Sequence, residues 1–363
     1  MPTADELLGA SVVRELIDCL AVAAPGQEPV ELRRVADSLD GQTLSERARA
    51  VRDALLTDLP GGYLPFVAIV DRALNQAGFT GWMIWPVTEA LAVLSVEADE
   101  LEGGLELLAR LTPRLTGEFA IRTFLDSDLD RTLTVVHTWT KHHDEHVRRL
   151  ASEGTRPRLP WARRVPAIME RPALEVLDAL YRDPSPYVRR SVANHLNDIS
   201  RADPELVAAT ARRWLADPDD NTASLVRHAL RTLVKAGDPE ALLLLGFGPP
   251  ADVEVGELRL GGTAVPEGGE LRFDATVRNH GTQAVTLVID YVVHHRKANA
   301  TLAPKVFKLA TRTLDPGAEV TVGKTHSFRP ISTRRYYPGE HAIELQVNGV
   351  RYGRCTFELD GTR

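Results

Sequence analysis

The chain has 363 residues, 44% hydrophobic and 26% charged, with a formal net charge of −7 at pH 7. This is the composition of an ordinary globular protein with room for two or three domains. No run of about 18 consecutive apolar residues occurs, so no membrane span is expected, and Cys19 and Cys355 alone imply neither a disulfide framework nor a metal cluster.

The opening residues carry Asp5 and Glu6 and lack a basic segment followed by an apolar core, so no secretory signal is read and a cytoplasmic location is expected. Charge is unevenly spread. Residues 1–120 hold 9 basic and 19 acidic side chains, whereas residues 148–171 hold 7 arginines against Glu153 and Glu170. Residues 294–335 hold 9 Lys/Arg against Asp315 and Glu319. Two basic segments in an acidic chain point to a localised anion-binding surface.

Residues 1–245 read as helical. Val12, Val13, Leu16 and Leu20 share one helical face and are expected to cap the first repeat of a solenoid. Pro60, Gly61 and Gly62 then break the chain. Leu129, Leu133, Val136 and Trp139 form another apolar face, preceded by the helix-start residues Asp126, Ser127 and Asp128. An internal repeat follows. His146-Val147-Arg148-Arg149-Leu150-Ala151 is matched by Tyr187-Val188-Arg189-Arg190-Ser191-Val192 and by Leu225-Val226-Arg227-His228-Ala229-Leu230. The valines lie 41 and 38 residues apart, a period typical of HEAT-like helix pairs.

Gly246-Phe247-Gly248-Pro249-Pro250 ends the helical pattern, and residues 246–252 read as a linker. From 253 to 363 the pattern alternates instead, as in Leu271–Val277 and Ala342–Val347. Turn signals at Asn279-His280-Gly281, Asp315-Pro316-Gly317 and Asn348-Gly349 separate the segments. About seven short strands in this stretch suggest an immunoglobulin-like sandwich without the Cys–Trp–Cys pattern of antibody domains. The expected fold is thus mainly α, a HEAT-like solenoid over 1–245, followed by an all-β sandwich over 253–363.

The segment Leu150 to Trp161 is the most unusual. It leaves a repeat helix through Gly154 and becomes a stiff loop carrying Arg156, Pro157, Arg158, Pro160 and Trp161. Guanidinium groups suit phosphate, and a tryptophan face suits a sugar or an electron-poor ring. An ordinary inter-repeat loop with a core tryptophan explains the pattern equally well. Glu118 lies among apolar residues, Glu153 abuts the arginines, and Asp198 sits near the end of a helix, against the helix dipole. Each read singly is a cap or a solvated charge. His137, His142, His143 and His146 lack a ligand pattern with supporting cysteines or acids, so no metal is expected. No phosphate-binding loop, dinucleotide motif or nucleophile elbow occurs.

Taken together, Glu118-Phe119-Ala120-Ile121-Arg122, the run Leu150 to Trp161, and Val188 to Asp198 resemble the HEAT-like-repeat DNA glycosylases, the AlkC branch more than its sibling AlkD. The terminal sandwich resembles the immunoglobulin-like domain attached to some AlkC proteins. The resemblance implies hydrolysis of the N-glycosidic bond of cationic alkylated bases in double-stranded DNA. The lesions are 3-methyladenine and, in this branch, 3-methylcytosine, attacked without base flipping, without a cofactor or metal, and by a monomer. It also implies that Glu118, Glu153, Trp161 and Asp198 line the site. Arg148, Arg156, Arg158, Arg163, Arg189 and Arg190 of the helical part, and Arg296, Lys297, Lys305 and Lys308 of the sandwich, are expected to contact DNA. Two other readings compete: a non-catalytic HEAT scaffold for protein partners, and a damaged-DNA-binding protein without catalysis.

Overall fold

The computed structural model describes residues 2–59, 61–331 and 334–361. By packing, the chain forms two compact units. One comprises Met1–Ala202 with Pro218–Ala229, the other Asp203–Asp217 with Leu230–Arg363.

The first unit is built of helices. They run α1 (Ala4–Leu8), α2 (Ala10–Ala23), α3 (Val30–Ala36), α4 (Leu44–Asp58), α5 (Tyr63–Ala73), α6 (Ile84–Glu97), α7 (Leu101–Leu111) and α8 (Ile121–Ser127). Then come α9 (Leu129–Trp139), α10 (Glu145–Glu153), α11 (Pro166–Glu170), α12 (Leu174–Leu180) and α13 (Pro186–Ile199). Of the later helices, α14 (Pro204–Ala216) belongs to the second unit and α15 (Thr222–Ala229) to the first. Local chemistry explains the boundaries. α4 opens with a reciprocal box in which Thr43 caps Glu46 and Glu46 returns to the Thr43 backbone. α9 begins where the sequence expects, with the Asp128 side chain accepting from the Arg131 backbone N–H.

The repeat is physical. Val147 and Val188 are fully buried near the starts of α10 and α13, and Val226 is fully buried in the middle of α15. Arg148, next to the first valine, turns back over its own helix start and donates to the carbonyls of His142 and His143, each at 2.9 Å. It also forks onto Asp183 of the next repeat at 2.7 and 3.1 Å. Arg189 repeats this arrangement one step on, donating to the Asp183 and Pro184 carbonyls and to Asn221 at 3.0 Å. In its first two copies the Val-Arg signature is therefore a staple between successive helix pairs, whereas Arg227 of the third is exposed.

The second unit carries α14, α16 (Arg231–Ala236), α17 (Pro239–Leu244) and nine strands. The strands are β1 (Val253–Val255), β2 (Arg259–Leu260), β3 (Ala264–Val265), β4 (Glu270–Asn279), β5 (Val285–Arg296), β6 (Leu302–Leu314), β7 (Glu319–Ser327), β8 (Gly339–Val347) and β9 (Val350–Leu359). One sheet joins β1, β2 and β7 to β4, and the other runs β3-β9-β8-β5-β6. The strand number exceeds the expected seven because β2 and β3 are two-residue edge segments too short to leave an alternating pattern. Phe273, Tyr291, Val293, Ile343, Leu345 and Phe357 belong to the shared sandwich core, the sheet-on-sheet packing expected of alternating strands. α16 packs on β6, and Gln346 donates to the Lys235 carbonyl at 3.2 Å. The last two helices thus belong by packing to the sandwich unit, although they continue the helical stretch in sequence.

Candidate functional site

The arrangement starts from α10. Its buried residues Val147, Leu150 and Ala151 face the interior. Arg149 and Glu153 lie four residues apart and share one face. On α13, Ser191 and Asp198 share a face seven residues apart. The turn before α8 supplies Glu118, and the loop after α10 supplies Arg156.

Side chains from these four segments meet. Arg149 donates to Glu118 Oε2 at 2.8 Å and lies 3.5 Å from Glu153 Oε1. Arg156 donates through Nη1 to Glu153 Oε1 at 2.6 Å and through Nε to Asp198 Oδ2 at 2.8 Å. Ser191 donates to Glu153 Oε2 at 2.6 Å. The order of contact is Glu118–Arg149–Glu153–Arg156–Asp198, with three carboxylates alternating with two guanidiniums. The Arg149 guanidinium also sits 4.9 Å from the centre of the Tyr187 ring.

Burial sets the electrostatics. Asp198 is pushed above the ordinary aspartate value, chiefly because burial penalises its charged form, with Arg156 pulling the other way. Burial also opposes the charge of Arg156, but its bonds to Asp198 and Glu153 outweigh this and hold the guanidinium above its usual value. Both oxygens of Glu153 accept hydrogen bonds, Oε1 from Arg156 and Oε2 from Ser191. Glu118 accepts through Oε2 only, from Arg149 and Thr116, so Oε1 carries no hydrogen bond among the described residues.

Known proteins resemble this chain in sequence and, in one case, in fold over its whole length. Residues 254–361 match the family described as the C-terminal Ig-like domain of the uncharacterised protein YhaZ. YhaZ of Bacillus subtilis is 34% identical over 320 residues, 87% of each chain. The structure of the Pseudomonas fluorescens alkylpurine DNA glycosylase AlkC, bound to DNA containing an abasic site analog, superposes with a TM-score of 0.89 at 32% identity. That match covers 99% of this chain and 100% of AlkC. The chain belongs to the AlkC family.

Against that family membership, the remaining expected site residues fall into distinct groups. Trp161 is not a core residue. It is 82% exposed and held at a left-handed φ of 63°. It borders a groove of about 250 Å³ with Ser45, Arg49 and Arg52 of α4, Trp85 and Glu89 of α6, Phe119 and Arg163. Trp85 stacks on Phe119 at 4.4 Å and donates its ring N–H to Glu89 at 2.9 Å. Arg158 is partly exposed and Arg190 is exposed. Arg163 donates to Asp126 at 2.9 Å and to the Arg122 carbonyl at 2.8 Å.

Three expected DNA contacts are placed differently. Arg156 is buried between two carboxylates, and Arg148 and Arg189 spend their donors on the repeat staple. In all three the guanidinium is bound within the protein. On the sandwich, Lys297, Lys305, Lys308 and Arg312 are exposed and Arg296 partly so, with Lys305 and Lys308 on the edge strand β6. Sequence reasoning missed Arg149, Tyr187 and Ser191. The available signal was spacing, because Arg149 stands four residues before Glu153 inside the repeat motif. No group of three or more potential metal ligands comes together among the described residues.

Proposed function

We propose that this chain is a DNA N-glycosylase that hydrolyses the glycosidic bond of cationic alkylated bases, 3-methyladenine first and 3-methylcytosine second, in double-stranded DNA. The observation that carries the reading is the Glu118–Arg149–Glu153–Arg156–Asp198 array, with an exposed tryptophan on the loop that carries Arg156, in a member of the AlkC family.

The chemistry follows from the substrate. Alkylation at a ring nitrogen makes the base cationic. When the C1′–N bond breaks, the electron pair goes to the base and neutralises it, leaving an oxocarbenium-like sugar. A water oxygen then bonds to C1′ and loses a proton, giving free base and an abasic sugar. Carboxylates suit both needs, stabilising the developing positive charge and accepting the proton. Glu118, with Oε1 open, is the group assigned to the water. Asp198 provides negative charge beside the sugar. Glu153, with both oxygens occupied, orients Arg149 and Arg156. Trp161 contacts the deoxyribose or the cationic base, an attraction of about 0.5–2 kcal/mol.

The proposed cleavage occurs without extruding the base. The groove beside Trp161 holds Arg49, Arg52 and Arg163 against the single carboxylate of Glu89, so its interior is a poor pocket for an extruded cationic base, while the exposed face of Trp161 remains open to DNA. A phosphate suits the groove better. Arg49, Arg158 and Arg190, together with Lys297, Lys305 and Lys308, are assigned to phosphates. Such contacts give affinity without sequence preference and weaken with salt.

The test is release of methylated bases from duplex DNA by the wild type, Glu118→Gln and Asp198→Asn. Release of 3-methyladenine that both variants lose while still binding DNA supports the proposal. Folded wild type that binds DNA but releases no base rejects it in favour of a damage sensor. Wild type with no affinity for DNA points to the scaffold reading.

A further inference from the structure

Arg122, the second residue of α8, is a buried cation that the proposed chemistry does not use. It is 1% exposed and makes no ion pair with a carboxylate among the described residues. Its guanidinium spends itself on the backbone of one loop instead. Nη1 donates to the carbonyls of Gly154 at 3.0 Å and Arg156 at 2.8 Å. Nε and Nη2 both donate to the carbonyl of Arg163, at 3.2 and 3.1 Å. The loop answers in kind, because Arg163 donates to the Arg122 carbonyl at 2.8 Å. Approach is close at the start of the loop. A Cβ on Gly154 would stand 2.8 Å from Ile121 Cγ2 and 2.9 Å from the Leu150 carbonyl oxygen, so only glycine lets α8 come near enough.

This arrangement is costly. Burial, and then the like charges of Arg163, Arg164 and Arg156, push the Arg122 guanidinium down to about 10. Burying a charge without a counter-ion is unfavourable unless its hydrogen bonds are needed. Those bonds tie both ends of the stretch that contains Trp161. They also fix the Arg156 backbone, while the Arg156 side chain is held between Glu153 and Asp198. A planar fork can reach three carbonyls at once, and an ammonium group cannot reproduce that geometry.

We infer that Arg122 is a positioning residue that clamps the 154–163 backbone so that Trp161 is presented to the substrate while Arg156 is held between Glu153 and Asp198. It touches neither DNA nor the reacting atoms and acts through the loop. The catalytic part of the inference rests on the glycosylase reading, whereas the clamp itself can be measured without it.

The experiment compares Arg122→Lys, Trp161→Ala and the double variant in single-turnover base release, DNA affinity and thermal midpoint. Misplacing a reacting group by about 1 Å can cost about a hundredfold in rate. A loss of that order is expected for Arg122→Lys with DNA affinity retained. Adding Trp161→Ala should then cost little more, because the loop is already displaced. Rate losses that multiply, or a wild-type rate in Arg122→Lys, would overturn the inference. If Arg122 variants do not fold, Gly154→Ala displaces the same loop from the other side and must show the same non-additivity with Trp161→Ala. Limited trypsin digestion without DNA supplies the independent readout. Arg156 precedes proline and resists cleavage, so cutting at Arg158–Leu159 reports the loop, and it should accelerate in Arg122→Lys. Accelerated cutting in a protein whose wild type releases no base would refute the glycosylase reading and keep the clamp. Unchanged cutting would refute the clamp.

Discussion

The candidate site of the helical unit and the histidine cluster of the sandwich both bury ionisable groups, and they handle the charge in opposite ways. At the candidate site, three carboxylates and two guanidiniums alternate, so each charge, buried in Glu153 and Arg156 and half-buried in Glu118, Arg149 and Asp198, has its opposite beside it. In the sandwich, His295, His326 and His341 sit among Tyr291, Phe307, Phe328 and Phe357, and burial pushes His295 down to about 3 and His326 to about 4. Arg334 donates to His295 at 3.1 Å, and His341 donates to the Tyr337 carbonyl at 2.9 Å, roles that neutral imidazoles fill. A cluster kept charged by pairing can act on a cationic intermediate. A cluster kept neutral by burial is a polar piece of core.

Breaking the pairing should have the largest effect. Arg156→Ala leaves Glu153 and Asp198 buried without their shared counter-ion. Removing one partner of a buried pair typically costs about 3–5 kcal/mol. Chemical denaturation followed by the helical signal should show a loss of that order, and wild-type stability would mean the array is not electrostatically coupled. Asp198→Asn comes next. It keeps the shape and removes the charge, so base release should fall about a hundredfold, the usual scale for losing one group that stabilises transition-state charge. Because the Asp198 carboxyl is raised above the ordinary 3.8, it protonates earlier as pH falls. The wild-type release rate should therefore decline on the acid side at a pH above that value. A flat acid side would remove Asp198 from the reaction.

How much of this was legible in the sequence depended on whether the signal was local. The α9 boundary, the buried valines of the repeat and the change from helices to strands all rest on neighbouring residues, and they could be read directly. The loop could be singled out by its Gly, Pro and Arg content. The use of each arginine could not. Arg148 and Arg149 are adjacent, yet about 100° of helix rotation sends one to staple the repeats and the other to Glu118 and Glu153. Nor could sequence show that Arg156 lies between Glu153 and Asp198, because the second carboxylate is 42 residues away. The sandwich histidines come from β5, β7 and β8, and alternation within one strand says nothing about which rings meet across sheets.

Effects become smaller away from the paired charges. Trp161 is exposed and joins no ion pair, so Trp161→Ala should leave stability nearly unchanged and slow release about two- to thirtyfold, the range of one cation–π contact. A large loss of thermal stability would mean that Trp161 packs against the free protein in solution. Lys308→Ala tests the sandwich surface. Each lost phosphate contact should lower the slope of log affinity against log salt by about 0.9. An unchanged slope would leave Lys308 with the structural task of guarding an edge strand.

The smallest effect concerns the neutral cluster and tests the other half of the comparison. His295 and His326 have an ordinary value of 6.5 when unfolded and lie well below it when folded. Between those limits the unfolded chain binds more protons than the folded one, so stability rises with pH there. The stability that their neutral forms support is complete above about pH 6.5. It is lost progressively as pH falls toward 4 and then 3. Arg334 and Lys305 face both rings, Lys324 faces His326, and His326 and His341 face His295. All are cationic or become so, which makes a proton on either ring still less favourable. His326→Asn should therefore flatten the acid limb of sandwich stability while leaving base release unchanged at neutral pH. An unaltered acid limb would place the acid sensitivity in the paired carboxylates, which must also take up protons as the pH falls.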